Sequence, residues 1–300
     1  MGINYGTAML LSRTGVFQKY RESSETCSLM MLGRQTMSLT NDNQKKAVIN
    51  SFKNYGKGVD IRNKSILRDS YSEDFLTDVG VTSIDSLDCS EFENCSTIKN
   101  LNTLFSNDKS NDEIKEKYDI VLDFGTSEHV FSPPTSIANS IFMLKNGGGL
   151  VLVLPISGWI EHGFYQFSPN FFRSLEVKGL ILKKLYIFNP YSKPLMIWDG
   201  IKFINITLYE SMSGRFSSFA VYEKQEIFSQ DFFLTNVNQG VYVNAWSKNK
   251  EATPQASIKK IDPIKWSKRI VEIVFGQTYF YKYLVLLKHR TDIDSVTKIS

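Results

Sequence analysis

"YDIVLDFGTSEHVF", residues 118–131, is an apolar run that empties into Asp123, Gly125, Glu128 and His129. A buried strand that releases its polar residues at its carboxyl end is how an open α/β sheet presents chemistry. The stretch therefore predicts a strand whose tip belongs to a site. Working outward, the same signature recurs. "CSLMMLG" (27–33) closes at Gly33, "VTSIDSLD" (81–88) delivers Asp88, and "STIKNLN" (96–102) carries Asn100. "LVLVLP" (150–155), "LILKKLYIF" (180–188) and "SSFAVYEKQ" (217–225) bring the candidate strands to seven.

Helix signals fall between them. Asn41 or Asp42 can cap a helix that turns Val48, Ile49 and Phe52 to one face. Ser70 and Glu73 have capping-box spacing before "DFLTDVG", which Gly80 ends. Ser132-Pro133 and Ser168-Pro169 each open a helix, and "KNGGG" (145–149) stops the first of these. Residues 106–117 read as a solvated loop or exposed helix. Apolar runs separated by helices predict a mostly parallel sheet covered on both faces.

A chain of 300 residues with 42% hydrophobic content can bury one large domain, or a domain with an appendage. The pattern changes near residue 228, which divides the chain into 1–228 and an extension, 229–300. That extension begins with a β-like aromatic alternation, "FFLTNVNQGVYVNAW", and continues into a basic, aromatic helix. A net charge of +4, from 35 basic and 31 acidic residues, is too balanced to announce a nucleic-acid partner. The excess is local: residues 248–290 carry ten Lys and Arg against three Asp and Glu. Such a helix could lie on an anionic membrane surface; packing on its own domain or on a second subunit, as in a homodimer, is the favoured reading. Cys27, Cys89 and Cys95 are odd in number and lack C-x-x-C spacing, so a reducing cytoplasm is expected rather than a disulfide scaffold or zinc site. The run at 8–11 is too short for a signal peptide, and 270–287 is interrupted by Glu272, Gly276, Gln277 and Lys282, so no membrane span is expected.

Ligands in such sheets sit beyond the strand tips, near the point where strand order reverses. Those tips carry Gly33-Arg34-Gln35, Asp88, Asn100-Leu101, Asp123-Phe124-Gly125-Thr126 and Pro155. A glycine after the first strand lets backbone approach a ligand, and an acid at the second suits a grip on a ribose diol. The "DFG" of 123–125 is not a kinase signature, since no G-x-G-x-x-G, H-R-D or A-P-E phrase accompanies it. A nicotinamide-dependent dehydrogenase would want G-x-G-x-x-G on the first turn, which is missing.

"DFGTSEHVF" (123–131), "LKNGGGLVLVLP" (144–155) and "GWIEHGFYQFSPNFF" (158–172) together resemble the class I S-adenosylmethionine-dependent methyltransferases. The likeness is to a bacterial subgroup with D-x-G-T-x-E-H-V-F and H-G-F-Y-Q-F-S-P phrases. It is detailed over 118–176 and looser over 27–225. The resemblance implies a Rossmann-like seven-stranded sheet and S-adenosyl-L-methionine as cofactor. It implies a cofactor site made of Gly33, Arg34, Gln35, Asp88, Asn100, Leu101, Asp123, Gly125, Thr126 and Glu128. A small-molecule or saccharide acceptor, methylated on a hydroxyl or amine, is implied in the same way. Two departures stand out. "LGRQT" has one glycine where the family has E/D-x-G-x-G-x-G, and Asn100 replaces an Asp that meets the adenine amine, a role its side-chain carbonyl could take. A methyltransferase-like binding or scaffold protein without catalysis is the alternative.

Glu128-His129 and Glu161-His162 lie beyond the fourth and fifth tips. Three uses compete. Each histidine could be a packed structural donor. Methyl transfer to a hydroxyl or amine needs a proton acceptor, for which His162 is the preferred base and His129 the alternate. No metal site is expected, because the spacing matches no familiar ligand pattern and adjacent residues seldom ligate together. Phe164 and Tyr165 could wall the acceptor site, Tyr165 offering its hydroxyl, or could simply belong to core and helix entry.

Overall fold

The computed structural model describes residues 2–18, 20, 25–53, 61–62, 66, 70–192, 195–201, 214–225, 228–238 and 296–299. In chain order the elements are β1 (Ile3–Asn4), α1 (Tyr5–Thr14), β2 (Ser28–Leu32), β3 (Met37–Ser38), α2 (Asp42–Lys53), α3 (Glu73–Asp78), β4 (Ser83–Asp88), β5 (Thr97–Ile98) and β6 (Tyr118–Asp123). They continue with α4 (Pro133–Met143), β7 (Leu144–Leu152), β8 (Pro155–Ser157), α5 (Pro169–Ser174), β9 (Leu180–Phe188), β10 (Leu195–Asp199), β11 (Phe216–Lys224), α6 (Gln230–Asn236) and β12 (Val296–Ile299).

Ten of the described strands form one sheet, ordered β12-β10-β9-β11-β7-β6-β2-β4-β5, with β8 paired to β11. The five strands β5, β4, β2, β6 and β7 are parallel to one another. From β2 the chain builds outward through β4 to β5, then returns to the other side for β6 and β7. The order therefore reverses between β2 and β6, where the carboxyl ends Leu32 and Asp123 are register partners. Such a reversal opens a crevice at the strand tips.

The central strands are parallel as expected, whereas the flank beyond β7 is antiparallel and takes the strand count past seven. β11 runs antiparallel to both β7 and β9, and β8, β10 and β12 add to the count. Strands that enter a sheet by reversing beside a neighbour need no helical crossover, and antiparallel pairing follows.

Alternation along the central strands divides the core in two. Leu29 and Met31 of β2, with Ile120 and Leu122 of β6, face α1, α2 and α3. Met30 and Leu32, with Val121, face α4, α5 and α6. Both faces are covered, as the sequence predicts.

At the opposite edge of the sheet from the tips, Asp119 pins three strands. Its Oδ2 accepts from Ser28 N (2.9 Å), Ser28 Oγ (2.7 Å) and Lys145 Nζ (2.9 Å). Burial works against that carboxylate, yet the bonds to Ser28 and Lys145 hold it below the usual range. Asp119→Ala is expected to destabilise the chain by about 1–2 kcal/mol in a denaturant titration, because it leaves partly buried donors on two neighbouring strands without their acceptor. An acid held low contributes stability above its unfolded pKa and loses it as pH falls through the folded one. The Asp119 contribution should therefore disappear only below about pH 4.

Local signals vary in how well they translate. Ser168 caps α5 by accepting from Phe171 N. The Ser70–Glu73 capping box does not form: the residue preceding α3 is Ser72, which makes no side-chain cap bond. Glu73 is taken instead by Arg34, Nε to Oε1 at 2.6 Å. Residues 232–236, the start of the expected strand-like alternation, belong to α6, with Phe233 buried and Gln230 Nε2 donating to Ala138 O. The rest of the β-like segment and the basic, aromatic helix lie outside the described residues. Among the described residues no helix is long and apolar enough to cross a membrane.

Candidate functional site

The loop after β2 shapes the site. Gly33 takes φ +66°, in the left-handed region that favours glycine, and its N donates to Leu87 O at 2.7 Å. A Cβ there would stand 2.9 Å from Thr126 Oγ1 and 4.0 Å from Asp88 Oδ2. Thr126 Oγ1 cannot swing aside cheaply, since it donates to Leu32 O at 2.6 Å. Gln35 is buried, and its Nε2 bonds Leu32 O (2.7 Å) and Gly33 O (3.2 Å). A side-chain amide thus rigidifies a loop that has a single glycine. Arg34 lies over the Tyr71 ring at 3.7 Å and also donates to Glu93 O at 3.0 Å, which fixes the outer wall.

These residues border a cleft of about 440 Å³ at the carboxyl ends of the parallel strands. Gly33, Arg34, Gln35, Asp88, Asn100, Leu101, Gly125, Thr126 and His129 line it, as do Gly2, Thr36, Cys89, Glu93, Lys99, Asn102 and Val130. The fold thus brings together eight of the ten expected cofactor residues. The second group carried no sequence signal: Cys89, Glu93, Lys99 and Asn102 come from the loops after β4 and β5, Gly2 from the start of the chain, Thr36 from the loop after β2 and Val130 from the loop after β6.

Two expected residues are placed elsewhere. Asp123 is wholly buried, and its Oδ1 accepts from Thr126 N (2.9 Å) and Ser127 N (3.3 Å). Its carboxylate folds the 3₁₀ turn Ser127–His129 rather than walling the cleft. Burial raises its pKa against those bonds. Glu128 is also fully buried and turns away from the cleft, because the turn directs it toward the loop after β8. Asn100 does line the cleft, but its Oδ1 accepts from Asn102 N (2.9 Å) and Asn102 Nδ2 (3.1 Å). The carbonyl expected to meet an adenine amine is engaged in that turn.

Behind His129 lies a second constellation. Glu128 Oε1 is 3.9 Å from His129 Nε2 and 3.7 Å from His162 Nε2, and the two imidazoles stand edge to face at 5.1 Å. The loop carrying His162 is held tightly. Trp159 Nε1 donates to Phe216 O at 2.9 Å, Phe164 N donates to Glu128 O at 2.8 Å, and Glu161 adopts φ +60°. Gly163 permits the approach: a Cβ there would lie 2.9 Å from Glu128 O and 3.0 Å from Glu128 Cγ. A glycine between His162 and Phe164 was the available clue to this contact.

Burial, then the charge of Asp123, pushes the Glu128 carboxyl up to about 8. Burial lowers His129, and burial followed by the neighbouring His129 lowers His162. The shifts run the same way, each disfavouring the charged form of its group.

His162 is not on the cleft wall; His129 alone connects the two features. Phe164 is two-thirds exposed beside Phe131, ring centroids 5.9 Å apart, and neither lines the cleft. Tyr165 does not offer its hydroxyl outward, because the OH donates to Phe131 O at 2.8 Å.

No family model and no curated protein matches the chain. It is similar to solved structures that include TehB from Haemophilus influenzae, at 14% identity over 70% of this chain and 62% of that one, TM-score 0.35. Another is the trans-methyltransferase CalH in complex with SAH, at 11% identity over 73% of this chain and 57% of that one, TM-score 0.35. A third is YcgJ from Bacillus subtilis, at 10% identity over 71% of this chain and 99% of that one, TM-score 0.34.

Proposed function

We propose that the chain is an S-adenosylmethionine-dependent methyltransferase acting on a hydroxyl or amine of a small metabolite or saccharide. One observation carries the reading: Gly33, Asp88, Asn100, Leu101, Gly125 and Thr126 converge on one cleft at the point where strand order reverses. Its volume of about 440 Å³ lies in the range of small-ligand pockets, roughly 300–1,000 Å³.

The lining favours a sulfonium cofactor over a dinucleotide. A pyrophosphate wants a helix N-terminus directly after the glycine turn, whereas here Gly33 leads into β3 and the next helix starts only at Asp42. Asp88 and Glu93 add negative charge to the wall, while the guanidinium of Arg34 is paired with Glu73 and Lys99 Nζ lies 3.9 Å from Glu113 Oε1.

S-adenosylmethionine, when bound, supplies a methyl group on a cationic sulfur for in-line displacement. In this reading Asp88 accepts from the ribose hydroxyls, the Gly33 and Gly125 backbones allow close approach, and Leu101 and Val130 flank the base. His162, with His129 as alternate, takes the proton from the acceptor. The lowered pKa of each keeps the ring uncharged near neutrality, the form that a base requires. Phe164 and Phe131 form the acceptor's apolar wall.

The test is calorimetric titration with S-adenosylhomocysteine. Micromolar binding supports the reading, and no heat at millimolar ligand with folded protein refutes it. Asp88→Ala is expected to weaken that binding about 10- to 100-fold, the worth of one or two hydrogen bonds to a charged group.

The second reading, a binding protein without turnover, is favoured by the engaged Asn100 carbonyl and the amide-filled Gly33 loop. It requires that Asp88→Ala leave the cellular role of the protein intact.

A further inference from the structure

The geometry points to a divalent transition-metal site formed by Glu128, His129 and His162. One ligand atom from each lies within 4.8 Å of the others. Rotations of the three side chains reduce such separations to the roughly 3–3.5 Å edges of a polyhedron with bonds near 2.0–2.2 Å.

The independent observation is what the cluster lacks. Both carboxylate oxygens of Glu128 are buried without a hydrogen-bond partner, and so is His162 Nε2. A buried acid with no partner for either oxygen is unsatisfied whether or not it carries its proton, and a bound cation would supply the missing partner. Nothing forces Glu128 into this position by accident, since the surrounding contacts drive it there. Asp123 folds the turn that carries it, and Gly163 lets the opposite loop close on it. Backbone bonding from Phe164 N to Glu128 O keeps the halves in register. The ligands come from two loops more than thirty residues apart, which is why sequence spacing gave no metal signature.

Two imidazoles and one carboxylate suit Zn²⁺, Co²⁺, Ni²⁺ or Fe²⁺ rather than Mg²⁺ or Ca²⁺, which prefer all-oxygen shells. Three protein ligands leave coordination open. His129 also lines the cleft, so the open side can face a ligand there. The cluster overlaps the proposed base: a coordinated His162 or His129 accepts no proton, so the metal and general-base roles exclude each other. An acceptor hydroxyl held on the cation would lose its proton because the metal lowers its pKa.

The experiment uses the untagged full chain, stripped with a chelator and titrated with Co²⁺. One equivalent should bind at micromolar affinity or better, with visible bands of a nitrogen and oxygen shell and no thiolate charge-transfer band. Glu128→Gln, His129→Asn and His162→Asn, each checked for folding by circular dichroism, should each weaken binding roughly 100-fold or more. Absence of stoichiometric binding overturns the proposal, as does a thiolate spectrum or unchanged affinity in folded variants. Should a variant unfold, the spectrum of the parent chain still decides. A parallel titration of the stripped protein with S-adenosylhomocysteine reports on the cofactor cleft independently, so either reading can fail alone.

Discussion

Gly33→Val is expected to lower affinity for S-adenosylhomocysteine by about 100-fold or more while leaving the chain folded. Two effects combine. A side chain at φ +66° costs roughly 1–2 kcal/mol in the left-handed region. Its Cβ also meets Thr126 Oγ1 at 2.9 Å, and that hydroxyl is tied to the Leu32 carbonyl. The loop must therefore shift into the space where a ligand would lie. Gly33→Ala should weaken binding less. Adding Thr126→Ala to it should recover part of the loss, because the obstructing atom is gone; a double-mutant cycle would measure that coupling. Parent-like affinity in folded Gly33→Val would mean that no cofactor rests against this turn.

Gly163→Val should act on the other half of the site. The introduced carbons press on Glu128 O and Cγ at 2.9–3.0 Å, and backbone cannot rotate away as a flexible side chain can. Relief comes by moving the 158–165 loop, which breaks the Phe164 N to Glu128 O bond and draws His162 from Glu128. Turnover, followed as S-adenosylhomocysteine release with whichever sugar or amine in a panel the parent chain methylates, is expected to fall about 100-fold. A displacement near 1 Å has that effect on a reacting geometry. Affinity for S-adenosylhomocysteine should stay within about threefold, since Gly163 does not line the cleft. Equal losses in both quantities, or full turnover, would contradict the assignment of this loop to the acceptor side.

The central sheet was legible because its strands are buried on both faces and announce themselves as apolar runs with polar tips. β9 spans 180–188 as expected, and β6 ends at Asp123. α1 was not read, for a physical reason. Gly6 to Leu11 are buried consecutively, so the helix shows a short apolar run instead of the 3.6-residue alternation of an amphipathic face. Gly6 is there because a Cβ would stand 2.7 Å from the Phe188 ring. The antiparallel flank was equally hidden, since apolar pattern marks a strand but not its direction.

At the site, sequence located the tips and left the orientations open. Asp123 and Glu128 sit on the loop the pattern indicated, yet a 3₁₀ turn sends one carboxylate into its own backbone and the other away from the cleft. Four residues of chain cannot encode such a choice without the hydrogen bonds that close the turn. The meeting of Glu128 with His162 depends on a glycine contact across thirty-five positions, a distance over which periodicity says nothing.

The topology also separates the cleft from the histidine and aromatic cluster along the chain. Most of the cleft wall comes from residues before 103, whereas the histidine and aromatic cluster comes from 128–165, and the two meet only around 125–130. Under the methyl-transfer proposal, exchange of the segment following β8 would redirect which molecule is modified while the cleft stays as it is, so chains of this kind could diversify their chemistry by rewriting one short stretch.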